Sequence, residues 1–235
     1  MNNDTHRTAP CPICGTQVTR EKVFFAEREL YAELACLCQA CEDARALVEA
    51  KSRAAASFRS HWAKVVPEDY QSAKLTGVPP AFHAVLRWRP ESGQKGVGLY
   101  GPSGSRKSCT MALLMLALET PFRWIPGARM RQLSIDAATL DGRDRDEARK
   151  ELAALRDVPL LVIDDLAEVK FTEAWADKLF EVLEYRNSTR RLTMWTAQHG
   201  PGHLAAKIRT NKDIDPGTGD AIERRLCQHH ALFEA

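Results

Sequence analysis

The sequence predicts an α/β fold: a parallel sheet with crossover helices, preceded by a small cysteine-bearing module and a helical connector. Three observations carry this reading. After the turn-rich stretch WRPESGQKG, short apolar strand patterns alternate with helical ones, the signature of βα units. The run PLLVIDDL is apolar without interruption until its acids, as in a strand buried on both faces. Five of the seven cysteines crowd between Cys11 and Cys41, ahead of all the strand patterns.

Composition allows such a chain and narrows its function. With 235 residues and 44% hydrophobic side chains, one full α/β domain and a small appendage can bury a core. The 33 Lys and Arg nearly cancel the 31 Asp and Glu, so no global basic field marks a nucleic-acid binder and any such contact must be local. The start, MNNDTHRTAP, has no apolar signal segment. The longest apolar run, Met111 to Leu118, is far short of the roughly 20 residues of a membrane span. A cytoplasmic protein with no membrane partner is expected. In that compartment clustered cysteines point to metal before disulfides.

Taken in chain order, residues 1–45 form the cysteine module. CPIC supplies Cys11 and Cys14, and CQAC supplies Cys38 and Cys41. Two C-x2-C pairs at this distance match a zinc ribbon, in which the metal takes the place of a hydrophobic core. Cys36 is an alternative ligand to Cys38. An isolated ribbon of this kind recognises a protein surface or nucleic acid. The connector is expected over residues 46–66, inside EDARALVEAKSRAAASFRSHWAKVV, which has many helix formers and no Gly or Pro.

The α/β domain is expected over residues 67–235. VGLY is its first strand, followed by a loop and a helix from Ser108 to Leu118. FRWI is a second strand. DRDEARKELAALRD is an amphipathic helix with Leu152 and Leu155 inward, and PLLVIDDL is the next strand. A helix from about Glu173 to Arg190, the strand RLTMWTA and a last strand near HALFEA complete the pattern. Ligands of such sheets bind at the carboxyl ends of the strands.

GPSGSRKS lies between the first strand and its helix, the setting in which G-x-x-x-x-G-K-[ST] cradles phosphates. The candidate nucleotide-binding residues are Gly101, Pro102, Ser103, Gly104, Ser105, Arg106, Lys107, Ser108 and Cys109. Backbone N–H groups and the helix N-terminus offer partial positive charge, Lys107 reaches the β- and γ-phosphates, and the Ser108 hydroxyl binds Mg2+. Arg106 stands where the last glycine belongs. If that position needs a positive φ, a non-glycine residue carries strain of about 1–3 kcal/mol, which weakens binding without abolishing it. In LLVIDDL, Asp164 is placed to hold Mg2+ through water and Asp165 to polarise an attacking water. Tyr70 and Phe82, ahead of the loop, are candidates to touch a base. Arg123, Arg129 and Arg131 form a basic run after the second strand.

From Trp62 onward the chain resembles the AAA+ ATPases of the DnaC/IstB-like group, which holds replicative helicase loaders and transposition helper ATPases. The resemblance rests on VPPAF, WRP, GLYGPSGSRKS, PLLVIDDL, FEVLEYRNSTRRLTMWTAQ and AIERRL in family order. It implies a P-loop core with a parallel five-stranded sheet, binding of ATP and Mg2+, and ATP hydrolysis that is weak in isolation. It makes Gln198 the polar residue after the fourth strand, in a Thr-Ala-Gln triplet where the family more often shows Thr-Thr-Asn. Arg225 matches the arginine that reaches a neighbouring subunit's γ-phosphate, with Arg224 where serine is usual. A replicative helicase as partner, single-stranded DNA as a contact of the Arg123–Arg131 face, and homo-oligomeric assembly follow from the same likeness. The chain stops ten residues after Arg225, so the helical lid of other AAA+ proteins is expected to be absent. A helicase-loader-like role in DNA replication is the leading expectation. Alternatives are a transposition helper and a non-hydrolysing adaptor that works through its zinc module.

Overall fold

The computed structural model describes residues 6–21, 23–25, 28–30, 38–90, 95–166, 171–228 and 230–235. The chain divides into two compact units, Met1–Ser57 and Phe58–Ala235. In the first, β1 (His6–Pro10) pairs antiparallel with β2 (Gln17–Glu21), and β3 (Val23–Phe25) with β4 (Arg28–Leu30). Helix α1 (Gln39–Val65) opens in this unit. It begins ahead of the helix formers that signal the connector, so Cys41 sits in its first turn.

The second unit takes the last part of α1, the short helix α2 (Glu68–Gln71) and three single 3-10 turns, Leu75–Gly77, Pro80–Phe82 and Val85–Arg87. The sheet follows. Its strands are β5 (Gly96–Tyr100), β6 (Phe122–Pro126), β7 (Leu160–Asp164), β8 (Leu192–Ala197) and β9 (His230–Glu234). The intervening helices are α3 (Lys107–Leu118), α4 (Gly127–Thr139), α5 (Gly142–Asp157), α6 (Glu173–Ser188), α7 (Pro201–Arg209) and α8 (Pro216–Cys227). All strand pairs in this sheet are parallel, in the order β6-β7-β8-β5-β9. The five-stranded parallel sheet is therefore as expected, and β8 lies between the loop-bearing β5 and the acidic β7.

Strand alternation builds two cores, one on each face of the sheet. Leu160 and Val162 of β7, Met194 of β8 and Val97 and Leu99 of β5 pack with Met111, Leu114 and Met115 of α3 and with Phe58 and Trp62 of α1. Leu161 and Ile163, with Trp195 of β8, face Leu133 of α4, Leu152 and Leu155 of α5, Leu179 and Val182 of α6, and Ile222 of α8. Gly98 is required by this packing, because a Cβ there would sit 2.2 Å from the Trp195 ring. Trp88, Trp124, Trp175 and Trp195 are all buried, in line with packing roles. Thr172 caps α6 by accepting from the Trp175 N–H, and Asp215 caps α8 by accepting from the Gly217 N–H.

Arg186 of α6 is fully buried. Its guanidinium donates to the carbonyls of Leu155 (2.9 Å), Arg156 (3.0 Å) and Val158 (2.8 Å), to that of Leu192, and to the Thr193 hydroxyl (3.0 Å). It thereby binds the end of α5 to the starts of β7 and β8 and satisfies carbonyls that would otherwise be buried unpaired. Burial pulls its pKa down, and the ring of oxygens offsets that cost. Among the described residues, no helix is long and apolar enough to cross a membrane.

Candidate nucleotide and metal sites

The loop between β5 and α3 needs left-handed backbone at three points: Gly101 (φ 144°), Gly104 (φ 79°) and Arg106 (φ 59°). Glycine adopts these freely, whereas Arg106 meets the steric conflict between Cβ and backbone. The Arg106 carbonyl accepts from both the Thr110 N–H and the Thr110 hydroxyl at 2.9 Å, so the first turn of α3 holds the conformation in place. Its guanidinium folds back onto the Leu75–Gly77 turn, and a Cβ on Gly77 would lie 2.6 Å from an Arg106 nitrogen. The positive φ that the motif demands is thus present in the free chain. Its strain is borne by the fold before any nucleotide arrives.

Lys107 is buried, 6% exposed. Its ammonium donates to the carbonyls of Gly101 (2.9 Å) and Pro102 (2.8 Å) and approaches the Ser105 hydroxyl. Ser108, one residue on, donates to Asp164 Oδ1 at 2.7 Å, and the Thr196 hydroxyl donates to the same oxygen at 2.6 Å. Thr196 also accepts from the Asp165 N–H at 2.9 Å. Burial raises the Asp164 pKa, the Thr196 and Ser108 hydroxyls pull it back, and Asp165 pushes it up again. Asp165 stands at φ 53°, a left-handed turn that ends β7. Gln198 anchors the loop from β8, its carbonyl accepting from the Gly101 N–H at 3.2 Å.

These groups surround a recess of about 360 Å3 whose wall includes Tyr70, Arg106, Lys107, Ser108, Asp165 and Gln198. Ser103, Gly104 and Cys109 complete it, while Gly101, Pro102 and Ser105 meet the Lys107 ammonium. An octahedral Mg2+ with oxygens at about 2.0–2.1 Å holds neighbouring ligands roughly 2.9 Å apart, close to the Ser108–Asp164 separation. The donor set suits that ion. Phe82 does not join the site: its ring is fully buried among the core residues against α3, where an apolar side chain gains most. Tyr70 lies on the Ser108 side of the recess. Thr196 is a site residue whose role the sequence does not mark, a hydroxyl at a strand end being too common to signal one; Tyr70, a candidate to touch a base, does line the recess.

Arg225 lies outside the recess. It pairs with Glu184, stacks 4.4 Å over the Phe180 ring and donates to the Ala221 carbonyl at 2.9 Å, while Arg224 is exposed. The basic run is divided: Arg123 belongs to β6, and Arg129 and Arg131 to α4, a helix that the sequence pattern did not reveal. Arg129 pairs with Glu151 at 3.2 Å.

In the first unit the sulfurs of Cys11, Cys14, Cys38 and Cys41 lie within 4.8 Å of one another. Zn–S bonds of about 2.3 Å put tetrahedral sulfurs roughly 3.8 Å apart, so the cluster fits zinc. A tight turn closes the first pair, with the Gly15 N–H donating to Cys11 O (2.9 Å) and the Cys11 N–H to Thr16 O (2.7 Å). The first turn of α1 closes the second, where the Cys41 N–H donates to Cys38 O at 2.9 Å. Backbone N–H groups of Cys38, Cys14 and Ile13 bring the Cys11 pKa down to about 6. The Thr16 hydroxyl lowers that of Cys14. Cys41 is pushed up to about 12 by the neighbouring sulfurs of Cys38 and Cys14. Cys36, the alternative ligand, lies outside the described residues.

No family model and no curated protein matches the chain. Its fold does match solved structures. The DnaC helicase loader aligns over 72% of this chain and 99% of its own, with a TM-score of 0.55 and 17% identity. DnaI aligns over 72% and 93%, with a TM-score of 0.55 and 20% identity. A primosome component from Streptococcus pyogenes aligns over 72% and 88%, at 0.52 and 19%. The chain thus has the α/β fold found in helicase loaders, with a four-cysteine cluster ahead of it; at these identities the likeness is one of fold.

The cluster predicts about one zinc per chain in metal analysis, with Cys14→Ser and Cys41→Ser variants each losing it. Because Cys41 holds its proton at neutral pH, calorimetry in buffers of different ionisation enthalpy should show proton release on zinc binding. Purified protein that was never exposed to chelator and carries no zinc would contradict the assignment.

Proposed function

We propose that the second unit binds ATP with Mg2+ at the recess, hydrolyses it when copies assemble, and serves a helicase-loader-like role in DNA replication, with the zinc module engaging a partner protein. The observation that carries this reading is the 2.7 Å contact between Ser108 of the loop and Asp164 at the end of β7. A glycine-rich loop or an acidic strand end alone is common. Their meeting through the two groups suited to one hard cation is the arrangement that phosphoryl transfer needs.

In this reading Lys107 exchanges its loop carbonyls for phosphate oxygens, so the loop is held in shape before nucleotide enters. Magnesium, when bound, neutralises charge on the transferring phosphoryl group. Asp165 accepts a proton from the attacking water, and the Gln198 amide orients that water. Arg225 acts on a neighbouring copy. Such an arginine in trans contributes on the order of 10^3–10^5 in rate, which ties hydrolysis to assembly. Release from Glu184 and Phe180 precedes that role. The helicase as partner, and single-stranded DNA as a further contact, rest on the fold that the chain shares with DnaC and DnaI and on the sequence motifs.

Calorimetric titration tests nucleotide binding. Lys107→Ala should abolish Mg·ATP binding. Arg106→Gly should leave affinity within about threefold, because strain common to free and bound states cancels. It should also raise Tm by about 2–4 °C for the roughly 1 kcal/mol of relieved strain. Wild type that binds no nucleotide at millimolar ATP would replace this reading with that of an adaptor.

Assembly-dependent hydrolysis is tested by mixing. Arg225→Ala and Asp165→Asn subunits should each be inactive alone and recover activity together, since a mixed interface pairs an intact Arg225 with an intact Asp165. Failure to recover under conditions that assemble wild type would refute action in trans.

A further inference from the structure

Helix α1 runs for 27 residues, yet only its last part is packed. Phe58 and Trp62 are buried in the core that lies against α3. From Glu42 to Ala54 every residue is exposed, and this stretch carries two large apolar side chains, Leu47 at 56% exposure and Val48 at 65%. A lone surface leucine is ordinary. These two, however, continue a pattern: Leu47, Lys51, Ala54 and Phe58 follow one another at intervals of four, three and four residues, the spacing of a single seam along a helix. The seam that Phe58 buries therefore extends toward the amino end and lies open at Leu47. A helical stretch of this length gains little from propensity alone, and covering its apolar side would steady it.

The charges beside the seam select what covers it. Arg45 and Glu49 pair with each other at 2.8 Å on the far side of the helix. Lys51, within the seam, has no hydrogen-bond or ion-pair partner among the described residues, and Asp43 accepts from Gln39 of its own helix at 2.8 Å. Asp43 and Lys51 lie equally far on either side of Leu47. A parallel partner helix of the same sequence would set Lys51 against Lys51, whereas an antiparallel one brings Lys51 of each helix toward Asp43 of the other and the two Leu47 side chains together. The face is thus complementary to itself in one orientation, as a two-fold contact requires.

We propose that α1 docks on a second copy of this chain: the two helices pair antiparallel about a two-fold axis beside Leu47, with Asp43 and Lys51 forming equivalent ion pairs across it. The contact uses residues of the first unit and no nucleotide, so it stands or falls apart from the ATP reading.

Sedimentation velocity of the zinc-loaded full chain, without nucleotide, tests the pairing. Wild type should be a dimer at about 100 µM, where association of micromolar strength is nearly complete. Leu47→Asp should raise the dimer dissociation constant about a hundredfold or more, because each copy loses a buried leucine and gains a desolvated charge. Lys51→Asp should raise it about tenfold by facing Asp43 with a like charge. Adding Asp43→Lys to Lys51→Asp restores the ion pairs in reverse, and should return the constant to within about threefold of wild type. Ala46→Asp, on the opposite side of the helix, should dimerise as wild type does. All these sites are exposed, so helix content by circular dichroism should match wild type. A wild type that sediments as a monomer at about 100 µM would overturn the proposal. A dimer that Leu47→Asp leaves intact would overturn it too, as would one that Ala46→Asp weakens equally or that the double charge exchange fails to restore.

Discussion

A buried carboxylate organises this protein. Asp164 is only 4% exposed, and leaving its charge out of water is tolerated because hydroxyls from two other elements converge on it. Ser108 reaches it from the start of α3 and Thr196 from the end of β8. The sheet order makes this possible: with β8 between β5 and β7, the end of one strand touches both the loop and the acids. The raised pKa of Asp164 is the cost of keeping an anion at this buried strand end.

The amino ends of the same strands are fixed by the opposite charge. Arg186 gathers carbonyls from the end of α5 and the starts of β7 and β8, so β7 and β8 are bound together at one end by a guanidinium and at the other by a carboxylate. Between these ends the pairing is parallel and the residues of β7 are all buried. Alternation sends Leu161 and Ile163 to one core and Leu160 and Val162 to the other. The recess therefore sits on a part of the sheet with little freedom to shift, as suits a site whose function depends on sub-ångström placement of oxygens.

Much of this was legible in the sequence, for physical reasons that differ by element. PLLVIDDL announced β7 because only a strand covered on both faces is apolar at every position, and the C-x2-C pairs announced the cysteine cluster because their spacing is set by turn geometry. GPSGSRKS showed that a residue other than glycine occupies the left-handed position, though only the structure shows φ 59° and the turn back toward Gly77. Elements fixed by long-range packing were not legible. Helix α4 has an apolar pattern too weak to mark it in the sequence. The burial of Arg186 depends on carbonyls distant in sequence, and Tyr70 reaches the recess wall only where α2 meets β6, its ring packed on Trp124. Arg225 was expected to face a neighbouring copy; its pairing with Glu184 and Phe180 within the chain could not be read from AIERRL.

The central claim is that the loop and the end of β7 form one cation site that is completed by nucleotide. Electron paramagnetic resonance with Mn2+ in place of Mg2+ tests it directly, because free and bound manganese give different signals. About one Mn2+ per chain should be bound in the presence of ATP and little without it, and Ser108→Ala and Asp164→Asn should each lose the nucleotide-dependent ion. Manganese bound equally with and without ATP, or retained in both variants, would contradict the account.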